Sequence, residues 1–312
     1  MTTAVVATAF GGPEVLEVID EQLPAPGVGQ VVVEVRAVGV NPIDYKRYSG
    51  AFGDDPSTLP QRLGLEASGV VTAVGPDAVG PQGPITVGDE VVVYAPGVYA
   101  SAVVVPAAAV LPKPAGLVWE HAAGILATGL TAWDALERIR LQEGETVVIH
   151  GAAGGVGLLA VQLAKARGAT VIGTAREVNH DYLRSLGATP VVYGHGLVER
   201  VREAAPGGVD AAIDTVGTDE AADVSLELVP EKQRVVTIAG FERAARDGFV
   251  AIGGPDPESA RIRESARIPL LELADAGTVV TVIAKTFPLA EAARAHTELA
   301  ASHASGKFIL IP

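Results

Sequence analysis

The chain contains no cysteine, and that one absence removes disulfides, thiolate nucleophiles and every thiolate metal site together. Its chemistry must run on oxygen, nitrogen or a bound cofactor. Basic residues are also scarce: 23 Lys and Arg stand against 37 Asp and Glu, a formal net charge of −14. Nucleic-acid binding by bulk electrostatics needs the opposite surplus, and Arg261, Arg263 and Arg267 form only a short cluster interrupted by Glu264. No nucleic-acid partner is expected. Apolar runs long enough for a bilayer are lacking too. The uncharged stretch from Val91 to Leu111 is broken by Pro96, Gly97 and Pro106 and reads as two buried strands around a turn. The N-terminus has no basic region and meets Gly11, Gly12 and Pro13 too early for a signal peptide, which predicts cytoplasmic residence and no membrane partner.

What is present is 312 residues, 48% of them hydrophobic, with 36 Gly and 21 Pro dispersed without a repeat. That length and composition suggest a compact protein of about two domains. Residues 31–40, 67–75, 88–94 and 100–105 are Val-rich runs separated by Gly, Pro and Asp turns, the pattern of an all-β half closed as a small barrel. From His121 onward Ala- and Leu-rich helical spacing takes over, and strands then alternate with helices. This predicts an α/β, doubly wound parallel sheet. The terminal run GKFILIP is strand-like again and is expected to return to the β half. The expected division is 1–122 with 279–312 against 123–278.

The strongest local signal is the strand Thr146 to His150, followed by Gly151, Gly154, Gly155, Val156 and Gly157 and then an amphipathic helix. Glycines in that context let the backbone approach a pyrophosphate, and the helix N-terminus supplies amide donors and positive dipole for it. The plainer alternative is a glycine-rich turn with no ligand. The next strand ends in Gly173, Thr174, Ala175 and Arg176, where an NAD enzyme places an acid against the ribose 2′-hydroxyl. A hydroxyl and a guanidinium there favour the 2′-phosphate of NADPH. A slip onto Glu177 would reverse that preference, and Arg176 would then be a solvated loop charge.

With these features in place, the whole chain resembles the medium-chain dehydrogenase/reductase superfamily, in particular its zinc-free quinone oxidoreductase branch, which includes zeta-crystallin. The resemblance is carried by GGPEVLEV near the start, VGVNPIDYKRYSG (38–50), GLEASGVVTAVG (64–75), VGDEVVVY (87–94), LATGLTAWDAL (126–136), GAAGGVG and the terminal GKFIL. It implies a GroES-like β-barrel catalytic domain, a Rossmann dinucleotide-binding domain, NADPH as cofactor and a homodimer paired through the strand GFVAIGG (248–254). Zinc-dependent relatives place a Cys in the region where this chain has Asn41 and Asp44 and a His where it has Leu65, between Gly64 and Glu66, so no metal is expected. Without a Lewis acid, a conjugated acceptor is the easier one, because the charge left by hydride addition spreads to an oxygen that hydrogen-bond donors can hold. The implied activity is therefore hydride transfer to a quinone or an α,β-unsaturated carbonyl. The alternatives are a stand-alone biosynthetic enoyl reductase and a non-catalytic NADPH-binding protein of the crystallin kind.

The same resemblance places site residues. Asn41, Tyr45 and Lys46 are the catalytic candidates: Asn41 orients the cofactor ribose or donates to a carbonyl, and Lys46 sets an ammonium beside the enolate or the ribose unless it is simply a solvated lysine. Asp44 reads as a turn or cap residue. Cofactor contacts are expected from Asn41, Thr128 (or Thr131), Gly154, Gly155, Val156, Thr174, Arg176, Tyr193, Val216, Ile238, Ala239 and Gly240. Phe52, Tyr94 and Phe241 are expected to line the substrate pocket, with Lys307 at its rim.

Overall fold

The computed structural model describes residues 1–253, 256–301 and 305–312. The chain forms two compact units, Met1–Ala127 with Thr281–Pro312, and Thr128–Val280. The divisions fall a few residues beyond those expected from the texture of the sequence.

The N-terminal part is built on strands β1 (Thr2–Ala7), β2 (Leu16–Glu21), β3 (Gln30–Val40), β4 (Gln61–Arg62), β5 (Glu66–Val74), β6 (Val79–Gly80), β7 (Gly83–Pro84), β8 (Glu90–Tyr94), β9 (Ala102–Pro106) and β10 (Val110–Pro112), with helices α1 (Pro42–Tyr48) and α2 (Trp119–Ala123). The uncharged stretch from Val91 to Leu111 thus holds three strands, because Pro106 ends β9 and a short helical turn at Ala107–Ala109 restarts the chain as β10. Helix α3 (Leu126–Arg138) begins at the end of this part.

The second unit alternates β11 (Thr146–His150), α4 (Gly155–Ala166), β12 (Thr170–Thr174), α5 (His180–Ser185), β13 (Thr189–Val191), α6 (Leu197–Ala204), β14 (Ala211–Asp214), α7 (Asp219–Leu228), β15 (Val235–Thr237), α8 (Phe241–Asp247), β16 (Val250–Ala251) and α9 (Pro257–Asp275). All six strands are parallel, in the order β13-β12-β11-β14-β15-β16. This is the Rossmann order, with its switch point at the carboxyl end of β11, where ligands of such sheets bind. The strands read as apolar runs because both faces are covered: Val148, Ile172, Ala212 and Val235 are buried together. Within the described part of the run 248–254, the strand is Val250–Ala251, after Gly248 closes α8 at φ +78°. Gly254 lies outside the described residues.

The chain then returns to the first unit through β17 (Ile283–Pro288), α10 (Ala292–Ala301) and β18 (Lys307–Ile311). Strand β18 pairs antiparallel with β3, setting Phe308 opposite Val40, and parallel with β17. The order β10-β8-β5-β3-β18-β17, with β9 also on β3, and bulges in the β3–β5 ladder bend this sheet around Val31, Val33, Val71, Val91 and Leu310. This is the GroES-like unit. Among the described residues, no helix is long and apolar enough to cross a membrane.

Candidate functional site

In the second unit the loop after β11 is shaped by three glycines with different tasks. Gly151 takes φ +72°, which side-chain-bearing residues rarely adopt. Gly157 lies so close to the loop that a Cβ there would stand 2.2 Å from the Gly151 carbonyl oxygen. Gly154 is different: a Cβ there would meet only that same oxygen, at 3.4 Å, and otherwise open space. The first helical bond of α4 runs from the Leu158 amide to the Gly154 carbonyl, 2.9 Å, so the amides of Gly155, Val156 and Gly157 precede it. Open space above a glycine beside amides at a helix N-terminus fits a pyrophosphate.

The loops after β14 and β15 are held from beneath by one buried pair. The Thr237 hydroxyl donates to Asp214 Oδ2 at 2.7 Å and accepts from the amides of Ala239 (3.1 Å) and Gly240 (2.8 Å). Asp214 Oδ1 accepts from the amides of Val216 and Gly217, both at 2.9 Å. Val216, Ala239 and Gly240 therefore sit at the carboxyl edge of the sheet with their amides turned inward, and Ile238 donates to the Asp214 carbonyl. His150, at the end of β11, is buried against Ser225, and that burial pushes its imidazole down to about 4.

Thr174 corrects an expectation. It is 2% exposed, and its hydroxyl accepts from the Gly151 amide at 3.2 Å, so it braces the glycine loop and is not presented to a ribose. Arg176 is exposed two residues beyond β12. Tyr193, half-exposed, lies two residues beyond the neighbouring β13, so the pair stands at one corner of the sheet. Thr128 is buried in α3 and Thr131 partly so. Phe241 opens α8 and is half-exposed.

The first unit holds two buried polar clusters. In one, the Lys307 ammonium donates to Asn41 Oδ1 (2.6 Å), the Val40 carbonyl (2.9 Å) and Glu66 Oε1 (2.9 Å). The Asn41 amide group donates back to Glu66 Oε1 at 3.1 Å and to the Gly39 carbonyl, and Glu66 Oε2 accepts from the Ala127 amide at 2.8 Å. Lys307 is thus no rim residue. It is 4% exposed because β18 lies alongside β3. Asn41 likewise is a buried brace whose carboxamide is committed to the protein, which corrects its assignment as a donor to substrate. Among the described residues no group of three or more His, Asp or Glu is arranged to hold a metal.

In the second cluster His296 stacks on Tyr48, its Nδ1 2.7 Å from that hydroxyl, while its Nε2 lies 2.9 Å from the Tyr99 hydroxyl. Tyr99 donates to Asp44 Oδ2 at 3.1 Å, and the Asn41 backbone amide donates to the same oxygen at 2.8 Å. Burial raises the Asp44 carboxyl to about 6, with Asp44 Oδ1 left unpartnered among the described residues, and lowers His296 to about 4. Asp44 is indeed an N-terminal helix brace. Above this core, Tyr45 packs edge-on to His296, and neither its hydroxyl nor the Lys46 ammonium has a partner among the described residues. Phe52 is exposed in a groove below α1, and Tyr94 is partly buried at the end of β8. The Glu66–Lys307 and Asp214–Thr237 pairs and the Tyr48–His296–Tyr99 chain were not anticipated as such. Their only sequence signal is the presence of ionisable residues at strand ends.

A glycine-loop Rossmann sheet joined to a GroES-like barrel defines a dinucleotide-dependent oxidoreductase architecture. Comparison with known proteins narrows the class. The family described as "Alcohol dehydrogenase GroES-like domain" matches residues 27–115, and "Zinc-binding dehydrogenase" matches residues 155–254. The chain is 35% identical to the quinone oxidoreductase of Pseudomonas aeruginosa, over 97% of this chain and 98% of that protein. It is 32% identical to a 2-haloacrylate reductase of Burkholderia, over 100% and 99% of the two chains. The structure of Escherichia coli quinone oxidoreductase complexed with NADPH superposes with a TM-score of 0.86 at 29% identity, covering 99% of this chain and 100% of that one. The chain belongs to the medium-chain dehydrogenase/reductase superfamily, in its quinone oxidoreductase branch.

Proposed function

We propose that the protein is a zinc-independent, NADPH-dependent reductase that transfers hydride to a quinone or an α,β-unsaturated carbonyl. The observation that carries this reading is the open glycine cradle at Gly154 beside the first amides of α4, with Arg176 and Tyr193 at the adjoining sheet corner. The amides of Gly155, Val156 and Gly157 would hold the pyrophosphate, and Arg176 the 2′-phosphate. Bound NADPH supplies the hydride. Asp214 and Thr237 keep the loops after β14 and β15 in place, so that Val216, Ile238, Ala239 and Gly240 border the cofactor without reorganising.

Zinc independence follows from the donor set: no cysteine exists, and the Lys307 ammonium already neutralises Glu66 and engages Asn41. The remaining donors are the Tyr45 hydroxyl and the Lys46 ammonium, both without a hydrogen-bond or ion-pair partner among the described residues and available to the oxygen where charge collects. We further propose a homodimer in which β16, the edge of the six-stranded sheet, pairs with its mate in a second copy.

Steady-state oxidation of NADPH with a small quinone and, separately, a medium-chain enone tests the reading, with NADH in parallel. Consumption of NADPH with either acceptor is the expected result. Binding of NADPH without consumption would favour a non-catalytic role or a narrower thioester acceptor.

A further inference from the structure

We infer that the groove beside α1 in the first unit binds the carboxylate of a small conjugated acceptor, and that Arg47 is the residue that holds it. The inference rests on the reductase reading and names the acceptor class within it. It begins from charge: in a protein with 37 acidic and 23 basic residues, a basic side chain without a partner is unusual. Among the described residues only Lys46, Arg47 and Arg261 have no hydrogen bond, ion pair or ring contact. Two of the three are consecutive in the last turn of α1.

Arg47 lines a groove of about 640 Å³ together with Phe52, Thr58, Pro60, Gln61 and Arg62, a volume suited to a small molecule. Arg62 is already engaged by Glu21, which leaves Arg47 as the guanidinium of the groove without a hydrogen bond or ion pair among the described residues, its charge felt only through space by the buried Asp44. Phe52 is 66% exposed and offers a flat apolar face to a conjugated system. Arg47 as a residue is partly buried, and its planar guanidinium matches a carboxylate in two parallel hydrogen bonds.

The same groove limits how much negative charge it accepts. Asp54 and Asp55 line it as well. Asp55 is turned back onto the Ser57 amide at 2.9 Å, and Asp54 has no hydrogen-bond or ion-pair partner among the described residues. With Asp54 and Asp55 already in its lining, the groove tolerates at most a single anionic group, held on Arg47, and repels the clustered phosphates of a coenzyme A thioester. The groove therefore favours a small unsaturated acid over a carrier-bound enoyl group.

The test uses benzoylacrylate and its methyl ester with the wild-type protein, Arg47→Gln and Arg47→Lys. Calorimetry of benzoylacrylate with the full-length protein, read first, needs no turnover. Binding that falls about tenfold or more in Arg47→Gln, and is partly restored by Arg47→Lys, is the expected result. Equal binding to all three proteins, or none to the wild type, overturns the inference. In turnover with NADPH, the acid-to-ester ratio of kcat/KM is expected to fall by a similar factor in Arg47→Gln, mainly through KM. An unchanged ratio would contradict the assignment. Binding of the acid without oxidation of NADPH would leave the groove standing and count against the reductase reading alone.

Discussion

The Lys307 ammonium and the Glu66 carboxylate lie 2.9 Å apart, 4% and 0% exposed, and between them they tie the start of β18 to the start of β5, the end of β3 and the first turn of α3. A pair so deeply buried is held by its additional hydrogen bonds as much as by its charge. Removing one partner leaves the other ionised in a medium that cannot solvate it.

Lys307→Met is therefore expected to lower stability by about 3–5 kcal/mol. Adding Glu66→Gln to that variant should recover part of the loss, because the second change removes the stranded charge. Urea denaturation of the two single variants and the double variant checks this, and simple additivity would show that the pair does not act as a unit.

Asp44 and His296 carry opposite pH signatures. Asp44 is raised from 3.8 to about 6, so its contribution to stability is full below pH 3.8 and is lost as pH rises through 6. His296 is lowered from 6.5 to about 4, so its contribution is present above pH 6.5 and is lost as pH falls through 4. In the wild type the two slopes oppose each other over pH 4 to 6. Asp44→Asn should leave a stability that rises with pH across that window relative to the wild type, and His296→Gln one that falls, each by on the order of 3 kcal/mol. Denaturation midpoints at a series of pH values decide it, and parallel profiles for the two variants would contradict the assignment.

The glycine loop allows a separation of binding from folding. Gly154→Val fills the open cradle without a backbone clash, and φ −77° suits a side-chain-bearing residue. It should abolish NADPH binding while circular dichroism and Tm stay near wild type. Gly157→Val drives its Cβ into the Gly151 carbonyl and should lower Tm markedly. Unchanged NADPH affinity in Gly154→Val would remove the pyrophosphate role.

Arg176→Ala should weaken NADPH by about 1.5–3 kcal/mol, the worth of a hydrogen bond to a charged group, and NADH far less. Fluorescence titration with both nucleotides checks the difference. Equal losses would show that Arg176 does not read the 2′-phosphate.

Much of the architecture is legible in local pattern. The Val runs of β3, β5 and β8 and the alternation from β11 to β15 are periodic over short windows, and the glycine loop declares itself by lying between a strand and a helix. The interior of the site is not legible in that way. Lys307 looks like a rim lysine until β18 is laid against β3, and Asn41 and Thr174 look ligand-facing until their partners arrive from elsewhere in the chain. His296 meets Tyr48 and Tyr99 across 248 and 197 residues of sequence. No periodicity encodes such meetings, because they are set by how the strands pair and by the need to satisfy polar groups once buried. The residues that brace a site are consequently harder to read than those that form its backbone cradle.

The most direct test of hydride transfer uses NADPH deuterated at its transferable ring carbon and a medium-chain enone, with the product analysed by mass spectrometry. The account predicts one deuterium on carbon in the saturated product for each NADPH consumed. Saturated product without deuterium from either face of the labelled cofactor, or bound cofactor that is never consumed with enone or quinone, would contradict it.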